Sequence, residues 1–515
     1  MHGDLVCAAG KPAQYRSDRS GPTPAADDRY LHRYRPSHPR RFWQPAERET
    51  LPAHKTHQGK PPTLAFDKRS PIRKVTAYFR VRRLRCDNTR RNNLSHGSRM
   101  NSTIVPANEI DHCEVCGNRT LAPVLDLGAH PMCDDLVATG SSRTCAEYPI
   151  EILFCDNCRT AHQRFQVPKR ELFPESYHYR SRFTADVLSG MKSLADSCEQ
   201  RFGLVAGRKV VDVGCNDGSL LDFFREKGAI TIGVEPTSAA QDCAAKGHST
   251  IHDFFTEATA EQIIAKHGKP DFITFTNVFA HIEDLGSVIA ALKRLIGENT
   301  ILVIENHYLG SVLLTNQFDT FYHEHPRTYS YRSFVFIARA LGLNLIDVQF
   351  PARYGGNIRI FAGKQASAVD AAAIEKLEAK EAQFGLDFAT LRSGVTRWRD
   401  KKSQELRTLV QKNGPLRGKA FPGRAAILIK LLALDNDSIS IVHEKPGSMK
   451  IGHYLPGTRI PIGSDDDLLK APRGANPLLN LAWHIPVEIR NYLKDAGYDG
   501  PVIDILSQQD FQPGA

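Results

Sequence analysis

Two cysteine pairs constrain this chain more than any other feature. Cys113 and Cys116 form a C-x2-C in DHCEVCGN, and Cys155 and Cys158 form a second in FCDNCRT, with 38 residues between the pairs. Each pair turns two sulfurs toward one point, and two such turns complete a tetrahedral shell of four thiolates, the donor set of a structural zinc site. With sulfur in all four positions no place remains for a reactive water, so the expected role is a staple across a segment with little core of its own. The chain holds 11 cysteines, an odd number, and its opening residues MHGDLVCAAGKPAQ lack the apolar stretch of a secretory signal. A disulfide framework is therefore not expected, and a cytoplasmic location is. Cys133 and Cys145, between the pairs, read as packing residues.

From about residue 180 onward the pattern alternates between strand-like and helix-like segments, which predicts a parallel α/β sheet. The key stretch is KVVDVGCNDGSLLDFFREKG. Lys209 to Val213 predicts a strand, Gly214 to Gly218 a tight turn, and Ser219 to Glu226 the start of an amphipathic helix whose free N–H groups face that turn. A second strand, Ala229 to Val234, ends in Glu235, where a carboxylate can accept from both hydroxyls of a ribose. The turn lacks the G-x-G-x-x-G spacing that admits a pyrophosphate, and Asp212 and Asp217 put negative charge where phosphates would be repelled. Carboxylates suit a cation instead, and S-adenosylmethionine carries an ammonium and a sulfonium. The expected cofactor contacts are Asp212, Gly214, Asp217, Gly218 and Glu235, joined by Asn277 at the end of a further strand, Asp271 to Thr276. The turn alone leaves another nucleotide-binding α/β protein open.

Several separate motifs occur together: the two C-x2-C pairs, VVDVGCNDGSLL, NVFAHIEDL, FDTFYHEH, YGGNIRI, IGHYLPGTRIPI and LLNLAWHI. With them the chain, from about Asp111 onward, resembles the zinc-containing sugar C-methyltransferases of deoxysugar biosynthesis. The resemblance implies an α/β fold of three parts: a small N-terminal four-cysteine zinc domain, a class I methyltransferase (Rossmann-like) domain and a C-terminal Rossmann-like α/β domain. The stretch Ala420 to Leu431 departs from the family's more glycine-rich turn. Expected divisions are a basic extension at 1–99, a zinc domain at 100–175, a methyltransferase domain at 176–365, a helical linker at 366–414 and a C-terminal substrate domain at 415–515.

Methylating carbon next to a ketone requires a base and something to hold the developing enolate oxygen. The FDTFYHEH segment puts a phenol, a carboxylate and two imidazoles within four residues. The resemblance assigns His325 as the base, with Tyr322 and Glu324 orienting it or binding acceptor, while His323 reads as structural. It also places His281, Tyr177 and Tyr179 in the acceptor pocket, and Arg359 in GGNIRI is a candidate for the same surface. The implied partner is a nucleotide-linked sugar or another small acceptor, with O- or N-methylation of another sugar or small metabolite as the competing reading. A monomer or homodimer is expected.

The formal charge of +10 suggests a nucleic-acid or membrane partner until it is divided along the chain. Residues 1–99 carry 22 Lys/Arg against 8 Asp/Glu, and the remainder carries 45 against 49. The excess thus lies in a stretch with 10 of the 30 prolines and only 13 Leu, Ile, Val and Phe, a composition that predicts disorder. A solvated extension, or sequence translated ahead of a start at Met100, is expected there. The rival reading, a basic nucleic-acid arm with zinc knuckles, is opposed by the lack of clustered basic and aromatic residues around the cysteines. The best apolar run, Ala425 to Leu434, is short and broken by Lys430, so no membrane span is expected.

Overall fold

Short runs rich in Val, Ile and Phe, buried on both faces, form the centre of the molecule. They are β1 (Lys209–Val213), β2 (Ile230–Val234), β3 (Ser249–Ile251), β4 (Phe272–Thr276) and β5 (Ile301–His307), followed by β6 (Asn344–Gln349) and β7 (Asn357–Gly363). Near-continuous apolar runs of this kind suit a parallel sheet covered by helices on both sides. In the computed structural model, which describes residues 108–174, 179–367, 369–470 and 476–512, these strands make one sheet in the order β6-β7-β5-β4-β1-β2-β3. Strands β1 to β5 run parallel, and β7 enters antiparallel between β5 and β6. The chain winds outward from β1 to β3 and then crosses to β4 on the other side of β1. That reversal opens a crevice at the carboxyl ends of β1 and β4, where ligands bind in such sheets. The basic extension expected at 1–99, and Tyr177, lie outside the described residues.

The zinc-bearing part is an antiparallel sheet of Ala122–Pro131, Glu147–Cys155 and Thr160–Gln163, completed by a fourth strand, Arg327–Thr328, from much later in the chain. The C-terminal part is a five-stranded parallel sheet of β8 (Leu416–Lys419), β9 (Ile439–Glu444), β10 (Ile462–Ser464), β11 (Leu478–Asn480) and β12 (Val502–Asp504), in the order β10-β9-β8-β11-β12. Two-residue strands Val137–Ala138 and His453–Tyr454 pair across the zinc-bearing and C-terminal parts. Among the described residues no helix is long and apolar enough to cross a membrane.

The Ala- and charge-rich stretch between the two parallel sheets forms two helices, Ala371–Glu381 and Phe384–Asn413. The second is more than a connector. Its buried face carries Phe388, Leu391 and Trp398, and the Phe388 ring packs 5.5 Å from Phe154 of the zinc sheet and 6.0 Å from Phe321. The first ends in a buried carboxylate. Glu381 accepts from the Tyr331 and Arg332 backbone N–H groups at 2.7 and 3.1 Å, and from the Tyr308 hydroxyl at 3.0 Å. It thereby occupies orphan donors at the start of helix Tyr331–Ala340, where negative charge also meets the positive helix end. Truncating it leaves those donors buried without a partner, a cost of about 1–3 kcal/mol per group. Glu381→Ala is expected to lower unfolding free energy by about 3 kcal/mol in urea titrations, and Glu381→Gln by less.

Candidate active site

The four cysteines of the two pairs converge. Their sulfurs all lie within 4.8 Å of one another, with Cys113 to Cys158 at 3.4 Å and Cys116 to Cys155 at 3.6 Å. Zinc–sulfur bonds of about 2.3 Å in a tetrahedron put sulfurs about 3.8 Å apart, so this spacing fits zinc. None of the four is in a disulfide. Donors surround the sulfurs as thiolates require: Asn157 Nδ2 is 3.3 Å from Cys116, Asn118 Nδ2 is 3.6 Å from Cys155, and a His162 ring nitrogen is 3.2 Å from Cys113.

The expected cofactor residues gather at the carboxyl ends of β1, β2 and β4. Gly214 has φ of 69°, and a Cβ there would meet the Val278 methyls at 2.6 Å, so only glycine fits. Glu235 closes the loop from the end of β2, accepting from Asn216 N–H at 2.9 Å and from Thr237 through both its N–H and its hydroxyl. Asp217 turns its oxygens to Ser219 and to Arg182, and so shapes the turn before the Gly218 left-handed step into helix Ser219–Glu226. Asn277 follows β4 with φ of 54° and accepts from Asn357 Nδ2 at 3.3 Å. Asp212 is buried in β1 with Thr274 Oγ1 donating at 2.7 Å. Burial, with the nearby Glu235 carboxylate adding to it, pushes its acid up to about 7. A buried acid in this state is one that a bound cation relieves, so the donor set fits a cationic adenosyl cofactor.

Three imidazoles meet beyond β4 and β5. The His325 ring centre lies 4.8 Å from His281, 5.3 Å from His307 and 4.2 Å from the Tyr322 ring. His325 Nδ1 is 3.0 Å from the Thr320 carbonyl, and a carbonyl only accepts, so the proton sits on Nδ1 and Nε2 keeps its lone pair. His281 Nδ1 is held the same way by the Glu324 carbonyl at 2.8 Å. Burial keeps all three rings neutral: His325 falls well below the usual imidazole range, His281 to about 4 and His307 to about 3. Burial acts oppositely on the acids, holding the Tyr322 phenol well above its usual value and Glu324 well above the carboxylate range, with Asp134 adding to both. Burial thus favours the protonated, O–H-donating forms of both. His323 points away and meets the Tyr148 carbonyl of the zinc sheet at 3.0 Å, in keeping with a structural role.

Tyr179 is exposed, and its carbonyl accepts from Asn216 Nδ2 of the cofactor-site turn at 3.1 Å. Arg359 corrects the expectation of an acceptor-facing side chain. It is buried in β7, where Nε donates to Glu305 at 2.6 Å and Nη1 to Ser197 and Gln349. Strand alternation across the β5–β7 pair, with Glu305 opposite Arg359, turns the guanidinium into the sheet-helix layer rather than to the crevice. The site also contains His307, which the sequence reading missed because β5 runs two residues past Glu305. Its position at a strand end was the available signal.

Three family models match in chain order: “Putative zinc binding domain” over residues 113–173, “Methyltransferase domain” over 186–348, and “C-methyltransferase C-terminal domain” over 352–502. The C-methyltransferase NovU of Streptomyces niveus is 29% identical over 403 residues, 75% of this chain and 94% of that protein. The ubiquinone biosynthesis O-methyltransferase of Pasteurella multocida is 33% identical over 116 residues, 20% of this chain and 48% of that protein. Among solved structures, the magnesium protoporphyrin IX methyltransferase of Synechocystis PCC 6803 is 15% identical with a TM-score of 0.27, covering 35% of this chain and 80% of that one. Elemental analysis of the purified protein is expected to find close to one zinc per chain. Cys155→Ser should lose the metal and lower the unfolding midpoint by roughly 10 °C or more.

Proposed function

We propose, from the premise that the chain is an S-adenosylmethionine-dependent methyltransferase of the zinc-containing C-methyltransferase family, that its acceptor is a nucleotide-linked keto-deoxysugar and that His325 generates the enolate. The observation that carries the reading is geometric: His325 Nδ1 is committed to the Thr320 carbonyl, which leaves Nε2 its lone pair, and the Tyr322 ring lies 4.2 Å from the imidazole, while burial favours the protonated forms of Tyr322 and Glu324. The cofactor supplies a methyl carbon made electrophilic by a sulfonium. His325 Nε2 takes the proton from the acceptor carbon beside the ketone, and the C–H electron pair moves into the enolate. The ketone oxygen gains negative charge, which the O–H donors of Tyr322 and Glu324 can hold. His325 ends the step as imidazolium, and the enolate carbon would be ready to accept the methyl that the cofactor would supply. Holding carbon and methyl in line supplies much of the acceleration, since effective molarities of about 10⁵ M or more are reached by oriented reactants.

A turnover screen of dTDP-4-keto sugars with S-adenosylmethionine tests the acceptor class. The expected product carries a new carbon-bound methyl signal, whereas a methyl ether or methylamine would overturn the carbon reading. His325→Asn is expected to lower turnover by about 10²-fold or more while the cofactor dissociation constant stays within about two-fold. Unchanged turnover in that variant would remove the base assignment. Cofactor affinity should also depend on pH through Asp212. Its acid titrates near 7 in the free protein and a bound cation favours the ionised form, so a proton leaves on binding and affinity rises with pH toward 7, then levels off. Calorimetric titration across pH 6 to 8 should show that rise, and Asp212→Asn should flatten it.

A further inference from the structure

The C-terminal part reaches the catalytic segment through one buried carboxylate. Asp319 lies in the short turn Phe318–Thr320 with none of its side chain exposed, and both oxygens are occupied by residues of the C-terminal part. Arg424 donates to it from two nitrogens, Nε at 2.9 Å and Nη2 at 3.0 Å, and Trp483 Nε1 donates at 2.8 Å. The guanidinium also lies over the Trp483 ring, 5.5 Å from its centre, and Nη2 reaches the Gln317 side chain at 3.2 Å. Arg424 sits in the loop between β8 and helix Ala425–Leu431, and Trp483 follows β11, so two loops of one sheet edge close on the same carboxylate. The residue after Asp319 is Thr320, whose carbonyl accepts the Nδ1 proton of His325 at 3.0 Å.

We infer that Arg424 and Trp483 are positioning residues that, through Asp319 and the Thr320 carbonyl, hold His325 in the tautomer and orientation in which Nε2 can accept a proton. A bidentate guanidinium–carboxylate pair fixes direction as well as distance, and the indole N–H supplies a third point that stops the carboxylate from turning. With Asp319 held, the Thr320 carbonyl has one direction, and that direction decides which ring nitrogen of His325 carries the proton. His325 is further confined by its own backbone N–H, which meets the Tyr322 carbonyl at 2.9 Å. The inference rests on His325 as the base, and it makes seating of the C-terminal part a condition for that role.

The test uses the full chain labelled with ¹⁵N-histidine, the His325 signal being identified by its loss in His325→Asn. The native protein is expected to show a single neutral form protonated at Nδ1. In Asp319→Asn and Arg424→Ala the signal should become a mixture of the two neutral tautomers, with turnover in the dTDP-4-keto sugar assay falling about 10- to 100-fold and the cofactor dissociation constant within about two-fold. Trp483→Phe keeps the ring, loses one donor and should fall between these and the native protein. Millimolar guanidinium should partly restore both the Nδ1 signal and turnover in Arg424→Ala, which a merely destabilised variant would not show. An unchanged His325 signal in Asp319→Asn and Arg424→Ala overturns the inference, as does a loss of turnover that tracks melting temperature alone and does not respond to guanidinium. Full turnover in His325→Asn would instead remove the base assignment, and the nitrogen spectra separate that outcome from the other two.

Discussion

Strand Arg327–Thr328 pairs with Thr160–Gln163 and so becomes the edge of the zinc-bearing sheet, two residues after His325. The Gln163 N–H meets the Pro326 carbonyl at 2.8 Å, and Arg327 is paired through both backbone and side chain, its guanidinium reaching Glu114 at 2.6 Å. Glu114 stands between the two cysteines of the first pair, and burial is overcome there by His162 and Arg327, which hold its carboxyl down at about 2. The second pair is tied in as firmly, because the Cys158 carbonyl accepts from the Ser330 and Ser333 hydroxyls at the cap of helix Tyr331–Ala340. The metal shell and the segment around His325 thus share one hydrogen-bonded framework. The four-thiolate shell thereby fixes the backbone of the segment that carries Tyr322, Glu324 and His325 without touching those side chains.

Burial then sets the protonation of the site. The imidazoles of His281, His307 and His325 crowd together, and the low-dielectric surroundings keep them neutral. The same surroundings raise the acids of Tyr322 and Glu324 and so favour their protonated forms. Charge that must be buried is paired elsewhere: Glu305 of β5 takes Arg353 at 3.0 Å, Arg359 at 2.6 Å and Asn357 at 3.0 Å, leaving it a satisfied anion beneath the crevice floor. Separation of the two environments along one strand, a paired carboxylate at Glu305 and an uncharged imidazole at His307, gives neighbouring positions opposite electrostatic roles.

Local pattern made the zinc ligands and the cofactor loop legible. C-x2-C spacing, the glycine of a positive-φ turn and an acid at the end of the next strand are properties of a few consecutive residues, and the structure brings each of them to one place. Residues whose role depends on distant pairing were not legible. Arg359 read as a candidate for the acceptor surface because its partner Glu305 lies 54 residues earlier, and only the antiparallel pairing of β7 with β5 brings them opposite. Asp319 stood within a motif already singled out for its imidazoles, yet its partners Arg424 and Trp483 are 105 and 164 residues away. The long helix Phe384–Asn413 was expected as scaffold, but Phe388 on its buried face joins the zinc sheet to the catalytic segment, a contact that no periodicity can announce.

The turn Ala420–Arg424, where the sequence departs from a glycine-rich form, shows what such a departure requires. Ala420 takes φ of 58°, a left-handed conformation that a side chain disfavours, so the turn must be held by its surroundings. They do so at every step. The Phe421 N–H meets Glu444 at 2.5 Å and its carbonyl accepts from Lys450 at 2.7 Å. Gly423 is the one glycine kept, and a Cβ there would come within 3.2 Å of both Asp134 and Cys133, the point at which the zinc-bearing part approaches. Arg424 then leaves the turn toward Asp319. A glycine-rich loop would leave these backbone groups free for a ligand, whereas here they are committed to protein partners. The turn is therefore a joint where the zinc-bearing, methyltransferase and C-terminal parts meet, and its strain is balanced by the contacts that seat Asp319 and the segment leading to His325.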